Sequence, residues 1–571
     1  MMISFFTLHR VMSGLFLFWW ISLFWTFSSA WPRLFDDWKN TLFYFGAGIC
    51  ILFQLMRRSS KPFVQFSAAG IFLSLYFIVL LCSLFISSAP YESFLSFSRL
   101  LLWIGLAWAL LQRKDFPFRK LFIFTTISTA LIVLQTFLEI TDVFHLWTYT
   151  VISKFFTPIG HTSYYGDVMM AHLPLAVFLF LTASRKWEKF FWAFLFVMIF
   201  GGLWVSLNRS SILGAFVSGL LFLFFLLRYR YLRWKPIMIA TAVIAISLFL
   251  FTKYHSSFLS KNASDTFDIF WNMKFDLKKG FSSQEAFHRF TSKRLKAYEI
   301  TASMIREKPM FGWGAGTFRF TYPEYAKGHL NSSTVWFMHP HNEMLHQVAE
   351  LGVLGVIGLF GFFVSLFVVG GKTLSKTENG HDQLLILTAL AGLVGFLISW
   401  QFSVSFLFSL SRLMMAPFVA ILWRYVSPIL TVPAIKLLSF RKIATAVVFA
   451  STLLLFMYHL SLYFLYESKN PENPHRLVSA KYSYVLAPTA FDPLFNYASM
   501  NFLDGHFQEA FPAIEKLSEA YPYVPSVLLL TAQARLMEGK VYEAETLLQH
   551  AIRNDPKFDA AKSFLTALQH Q

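Results

Sequence analysis

Residues 339–355 read HPHNEMLHQVAELGVLG. Three histidines, an asparagine and two glutamates crowd into its first twelve residues, and Leu351-Gly352-Val353-Leu354 then opens a long apolar run. The junction closes the only long polar loop of the chain, and the apolar run behind it is long enough to cross a bilayer core of about 30 Å as a helix. Working outward, runs of this kind recur near 11–30, 41–56, 66–86, 94–112, 119–138, 167–183, 190–207, 211–227, 236–252, 349–371, 383–402, 413–429 and 443–464. Their apolarity is continuous rather than alternating, so they are read as helices and not as barrel strands. The fold class expected is all-α: a polytopic transmembrane bundle of 12–13 spans with an extracytoplasmic helical loop domain and a C-terminal α-solenoid.

Composition agrees. Of 571 residues, 56% are apolar, 19% aromatic and 14% charged, which excludes a soluble globular chain. A net charge of +18 invites a nucleic-acid reading, but its distribution argues against one. Clusters such as Arg57/Arg58/Lys61, Arg113/Lys114/Arg119/Lys120 and Arg228/Arg230/Arg233/Lys235 fall in alternate loops, giving 21 Lys and Arg on one side. The short loops of the other side hold five: Arg33, Lys39, Lys154, Arg209 and Arg412. That asymmetry orients the chain with its N-terminus cytoplasmic and the long loop and C-terminus outside. The expected location is a membrane that bounds the cytoplasm. Cys50 and Cys82 both fall in spans and support neither a disulfide framework nor a metal site. The first apolar segment lacks a small-residue cleavage site and is read as a retained span.

The expected domains are 1–252, about nine spans; 253–348, the large outer loop; 349–464, the remaining spans; and 470–571, a polar tail. In the tail, Ala498/Ala532, Gly505/Gly539, Ala510/Ala544 and Pro522/Pro556 are four identical pairs 34 residues apart. Small residues let paired helices approach, glycine separates them and proline closes the unit. This period resembles the tetratricopeptide repeat. Behind an Asn- and Pro-rich linker at 469–474, such repeats are expected to act as a tethered binding module, dispensable for transfer to a small acceptor.

Among polar residues, His341 is the candidate base, because an imidazole of pKa about 6.5 accepts a hydroxyl proton near neutrality. His339 and His346 compete for that role. The spacing is not that of a helical zinc site and no carboxylate cluster supports one, so no metal is expected. The bland alternative is a polar hinge capping the helix at 349. Arg209 lies in a minimal turn, SLNRSSILG, where it either snorkels to the interface or presents a guanidinium fork to phosphate oxygens. In SKRLKAYEITASMIREKPMFGWGAGTFRF, residues 292–320, helical periodicity puts Arg294 and Tyr298 on one face. An amphipathic helix on anionic headgroups would look similar.

Taken together, the Arg-Ser turn, the Arg294/Tyr298/Pro309/Gly314-Ala315-Gly316 block and the His341-Asn342 pair ahead of Glu350 and Gly352 resemble the O-antigen ligase and polymerase superfamily. The resemblance covers about residues 155–425, with Tyr298 where tryptophan is commoner and Arg289 able to substitute for Arg294. It implies transfer of a preassembled glycan from undecaprenyl diphosphate to an acceptor hydroxyl, inverting and without a cofactor, with His341, Arg294 and Arg209 catalytic. Arg289, Asn342, His339, His161, Tyr298, Arg319 and Glu350 would contact donor or acceptor. His161, with Tyr164 and Asp167, stands where the superfamily has a Gly- and Asn-rich turn, and serves either the sugar or a re-entrant turn. The acceptor is a glycolipid, a glycan or a protein, with a possible protein partner held by the repeats. Rival readings are a polymerase, a protein O-oligosaccharyltransferase, a lipid-linked glycan transporter and a non-catalytic scaffold.

Overall fold

The structure is a computed structural model that describes residues 5–25, 35–56, 63–112, 116–140, 162–206, 208–231, 283–326, 338–426, 430–433 and 437–570. The membrane part begins with α1 (Phe5–Trp25), α2 (Phe35–Met56), α3 (Ala68–Ile86), α4 (Pro90–Leu111), α5 (Phe118–Ile140), α6 (Thr162–Thr182), α7 (Lys186–Val205) and α8 (Arg209–Arg228). The polar loop contributes α9 (Ser283–Glu307) and α10 (Phe318–Tyr325). Then follow α11 (Glu343–Lys376), α12 (Gly380–Ser399), α13 (Ser409–Trp423) and α14 (Leu437–Lys469). The tail is α15 (Arg476–Leu486), α16 (Phe491–Leu503), α17 (Phe507–Ala520), α18 (Pro525–Met537), α19 (Val541–Asn554) and α20 (Asp559–Gln569). Two four-residue strands, β1 (Phe63–Phe66) and β2 (Leu430–Pro433), pair antiparallel with Phe63 opposite Pro433. The protein is thus a polytopic helical membrane protein.

Among the described residues, nine helices are long and apolar enough to span. They coincide with nine of the thirteen runs read from hydropathy. The runs near 11–30 and 413–429 hold shorter apolar helices, that near 41–56 lies within α2, and 236–252 lies outside the described residues. The chain divides into two compact units: residues 1–46, 107–292 and 366–426, and residues 47–106, 293–365 and 427–571.

In the first unit α6 is central, packed by α5, α7, α8, α12 and α13. α8 and α12 cross so closely that a Cβ on Gly214 would lie 2.5 Å from the Gly395 carbonyl oxygen. α13, at 15 residues, is buried along nearly its whole length. Its Arg412, read from sequence as an outer-loop cation, is buried instead, with Nε donating to the Phe406 carbonyl at 2.5 Å and a terminal nitrogen donating to Tyr44 Oη at 2.9 Å. Lys39 is buried as well.

In the second unit the tail helices stack in order from α14 to α20. The 34-residue period becomes two helical hairpins, α16–α17 and α18–α19, with Ala498, Ala510, Ala532 and Ala544 fully buried between helices. Gly505 and Gly539 supply the left-handed turns at φ 81° and 78°. The linker at 469–474 is a tight turn: Asn473 Nδ2 donates to the Glu467 carbonyl at 2.9 Å, and Ser483 Oγ to the Ser461 carbonyl at 2.8 Å, folding α15 back along α14. Nor does the tail stand apart from the loop domain. Phe320 of α10 stacks on Phe491 and Tyr521 at 5.0 and 4.6 Å. His550 meets Glu324 at 3.1 Å, and Glu92 Oε1 accepts from the Phe491 N–H at 3.2 Å. Aromatic side chains outside the small-residue pattern build this contact, so the 34-residue spacing gave no sign of it.

Candidate functional site

The segment quoted first becomes the start of α11. The polar turn is helical from Glu343 rather than from 349, because Asn342 caps it: its Oδ1 accepts from the Leu345 N–H at 3.0 Å. Helical geometry then fails at Gly352, with φ 67° and ψ −174°, a conformation nearly restricted to glycine. The break frees backbone groups, and the 309–314 strip takes them up. Trp313 and Gly314 donate to the carbonyls of Ala349 and Glu350 at 3.0 and 2.8 Å, and Val353 donates to the Pro309 carbonyl at 2.9 Å. The two backbones cross at a reciprocal glycine contact. A Cβ on Gly312 would lie 2.3 Å from the Glu350 carbonyl carbon, and one on Gly352 would lie 2.2 Å from that of Met310.

Side chains lock the same crossing. The Glu350 carboxylate accepts from the N–H groups of Gly316 and Phe318, at 2.8 and 3.1 Å, at the start of α10. His346 Nε2 lies 3.2 Å from Glu350 Oε1, and His346 Nδ1 lies 3.7 Å from Glu343 Oε1. Gln347 Nε2 donates to Glu343 at 2.7 Å and itself accepts from Tyr76 of α3 at 3.0 Å. Glu350, expected from sequence to touch substrate, is thereby committed to the backbone of α10 and to His346. His346, a rival for the base, is buried in the same clamp. The spacing of Glu343, His346, Gln347 and Glu350 at 3, 4 and 7 places this face on one helix, a signal present in the sequence but not used there.

Beside the clamp four expected residues come together. Arg294, exposed on α9, and His341, half-buried, are near enough to interact. Burial first, and then the Arg294 charge, lower the His341 pKa below 6.5, so the imidazole stands neutral near pH 7. Its backbone holds a left-handed φ of 52°, uncommon for a residue other than glycine. Tyr298, one turn beyond Arg294, hydrogen-bonds Asn342; burial raises its pKa, opposed by Arg294 and by that bond. His339 stacks edge-on against His346 at 5.4 Å. Burial, His346, Arg319 and His341 together push its pKa well below the ordinary value.

Arg319 points elsewhere. It pairs with Glu92 at 3.7 Å and Asp492 at 3.6 Å and lies over the Phe320 ring at 4.4 Å. Burial opposes its charge, but these two carboxylates outweigh burial and hold its pKa above the ordinary range. It therefore ties α10 to α4 and α16, partners that no local pattern announces. Arg289 lies in α9, its side chain outside the described residues, as does His161 altogether.

In the other unit Arg209 is the exposed first residue of α8. Its turn is pinned by neighbours: Asn208 Nδ2 donates to Ser211 Oγ at 2.7 Å and to the Ser163 carbonyl at 3.0 Å, and Ser210 Oγ donates to Asn208 Oδ1 at 2.8 Å. Asp167, fully buried, accepts from Ser211 and Ser399 at 2.6 and 3.0 Å. Among the described residues no group of three His, Cys, Asp or Glu is placed to hold a metal ion.

The protein is thus a helical membrane protein whose polar loop gathers arginine, tyrosine and a neutral histidine beside a broken apolar helix. The O-antigen ligase family model matches residues 193–360, from α7 across the polar loop and past Gly352. Over that segment the chain is similar to the O-antigen ligase family, which supports a glycan-handling function at the membrane. No curated protein gives a significant match.

Proposed function

We propose that the protein transfers a preassembled glycan from undecaprenyl diphosphate to an acceptor hydroxyl on the extracytoplasmic face of the membrane. The observation that carries this reading is the grouping of Arg294, Tyr298, His341 and Asn342 within the family-matched segment. His341, neutral at pH 7, takes the acceptor hydroxyl proton as its oxygen attacks the anomeric carbon from the face opposite the leaving group. The anomeric C–O bond breaks with inversion, and the electron pair stays on the carrier diphosphate. That leaving group needs its growing charge neutralised rather than a proton donated, which is the part given to Arg294. Arg209 is a further proposed phosphate contact, supported by its place at the first turn of a 20-residue helix whose N-terminal N–H groups favour anions. Asn342 and Tyr298 fix the positions of His341 and Arg294. The clamp of Glu343, His346 and Glu350 positions the loop without touching substrate. Transfer is proposed to be independent of metal ions.

The test is reconstitution with a radiolabelled undecaprenyl-diphosphate glycan and candidate acceptors, in the presence of EDTA. His341→Ala should lose transfer by about 10²–10⁴-fold, the usual contribution of a general base, while still binding the donor lipid. Arg294→Ala should lose both, with little recovery in Arg294→Lys, which lacks the planar fork. Equal loss of donor binding in the His341 variant would overturn the division of roles.

A further inference from the structure

The tail carries an apolar face that its own core leaves uncovered. On α15, Val478, Tyr482 and Val485 are 47%, 53% and 59% exposed, at helical spacings of four and three, with Lys481 and Arg476 exposed beside them. Their level relative to the bilayer follows from α14. From Lys442 to Ser461 that helix rises about 28 Å at ~1.5 Å per residue, close to a hydrocarbon core of ~30 Å. With Arg441 and Lys442 taken as one boundary of the candidate span, a core of ~30 Å ends near Ser461. α15 is fastened at that second boundary by two contacts. Ser483 Oγ donates to the Ser461 carbonyl at 2.8 Å, and Arg476 Nε donates to the Ser468 carbonyl at 3.2 Å, farther out. The helix thus descends beside α14 toward the hydrocarbon. Its exposed face also continues the outward-facing strip of α14: Phe449, Leu453, Phe456 and Tyr463 are exposed along α14, and Phe464 stacks on Tyr482 at 5.4 Å.

We propose that α15 is an interfacial helix, seated in the lipid leaflet where α14 emerges. Val485 reaches deepest, Tyr482 lies at the headgroup boundary with its hydroxyl outward, and Val478 is shallowest. Lys481 and Arg476 extend along the face to lipid phosphates while their aliphatic stems stay in apolar surroundings. The partner is the membrane surface itself. Because Phe491 of α16 and Tyr521, the residue that follows α17, pack against Phe320 of α10, this seat sets the height of the polar loop above the lipid.

The experiment places a nitroxide at each position in turn. The full chain, with Cys50→Ser and Cys82→Ser, carries Val478→Cys, Tyr482→Cys or Val485→Cys, and Tyr542→Cys on α19 as the aqueous reference, 82% exposed. Each is reconstituted at one copy per phosphatidylcholine nanodisc, and collisions with oxygen and with a neutral nickel chelate are measured. The expected oxygen-to-nickel ratio is several-fold above the Tyr542 reference at Val485, intermediate at Tyr482 and lowest of the three at Val478. Ratios equal to the reference at all three positions would overturn the seat. So would shielding that appears only when several copies share a vesicle, because the face would then pair with a second copy. Neither outcome depends on glycan transfer, so this test stands apart from that of the proposed reaction.

Discussion

The His341 junction and the Arg209 turn are both polar starts of membrane helices, and they are held in opposite ways. The Arg209 turn is satisfied mostly by residues next to it, with Asn208, Ser210 and Ser211 bonding one another and Ser211 reaching Asp167. The His341 junction is satisfied across the chain, by backbone from 309–318, by Tyr76 of α3 and by α9. Short side chains stabilise the first; a broken helix docked on a second strip of backbone makes the second. The difference predicts that the junction tolerates far less change than the turn.

The largest expected effect comes from adding one carbon at the crossing. Gly352→Ala would put its Cβ 2.2 Å from a backbone atom of Met310, at a positive φ that alanine disfavours. No side chain can move aside, so the loss should exceed the ~1–3 kcal/mol of backbone strain alone. Gly166 is the counterpart in the turn, where a Cβ would meet the side chains of Asn208, Ser206 and Ser211 at 2.9–3.0 Å. The two serine hydroxyls can rotate, and the Asn208 Cβ needs only a small backbone shift with no positive φ to strain it, so Gly166→Ala should cost less. Thermal unfolding of the two detergent-solubilised variants decides it: equal losses in Tm would erase the distinction.

A smaller contrast comes from the two buried carboxylates. Glu350→Gln removes the charge facing His346 and turns an amide N–H₂ toward either Gly316 or Phe318, both donors. Breaking one partner of such a buried pair costs about 3–5 kcal/mol. Asp167→Asn keeps the oxygen that accepts from Ser211 and Ser399, both of which bond Oδ1, so about 1 kcal/mol is expected. The same unfolding measurement serves, and an Asp167 variant the weaker of the two would reverse the ranking.

The spans, the pair Arg294/Tyr298 and the pair His341/Asn342 were legible because each rests on a local pattern: continuous apolarity, a four-residue helical step, adjacent residues. That the two pairs meet is set by tertiary contact, and only the family resemblance pointed to it. The Arg209 turn was legible for the same reason. What escaped were partnerships set by tertiary contact. Arg319 reads like any loop arginine until Glu92 and Asp492 arrive from segments more than 170 residues away on either side. Gly312 looks like one glycine of a loose run until Gly352 is placed against the same backbone. The tail period was plain, but α10 as its packing partner was not, since the aromatics that cover Phe320 lie outside the small-residue pattern.

The finest test of the junction is its pH dependence. Under the proposed reaction the active form of His341 is the neutral imidazole, so transfer rises as pH passes upward through its pKa and levels off above it. Burial and Arg294 both lower that pKa, which sets the acid limb of kcat/KM below pH 6.5. Arg294→Gln removes the charge and leaves the burial, so the limb should move upward, toward 6.5 but not past it, because burial is the larger cause. Arg294→Lys retains a cation and should leave the limb near its original place even though the plateau rate falls. A histidine-labelled NMR titration of the same variants reads the shift where residual transfer is too slow to follow. A limb that moves equally in the Lys and Gln variants would mean that Arg294 shapes the junction sterically, as neighbours shape the Arg209 turn, and the contrast between a charge-tuned junction and a self-contained turn would fail.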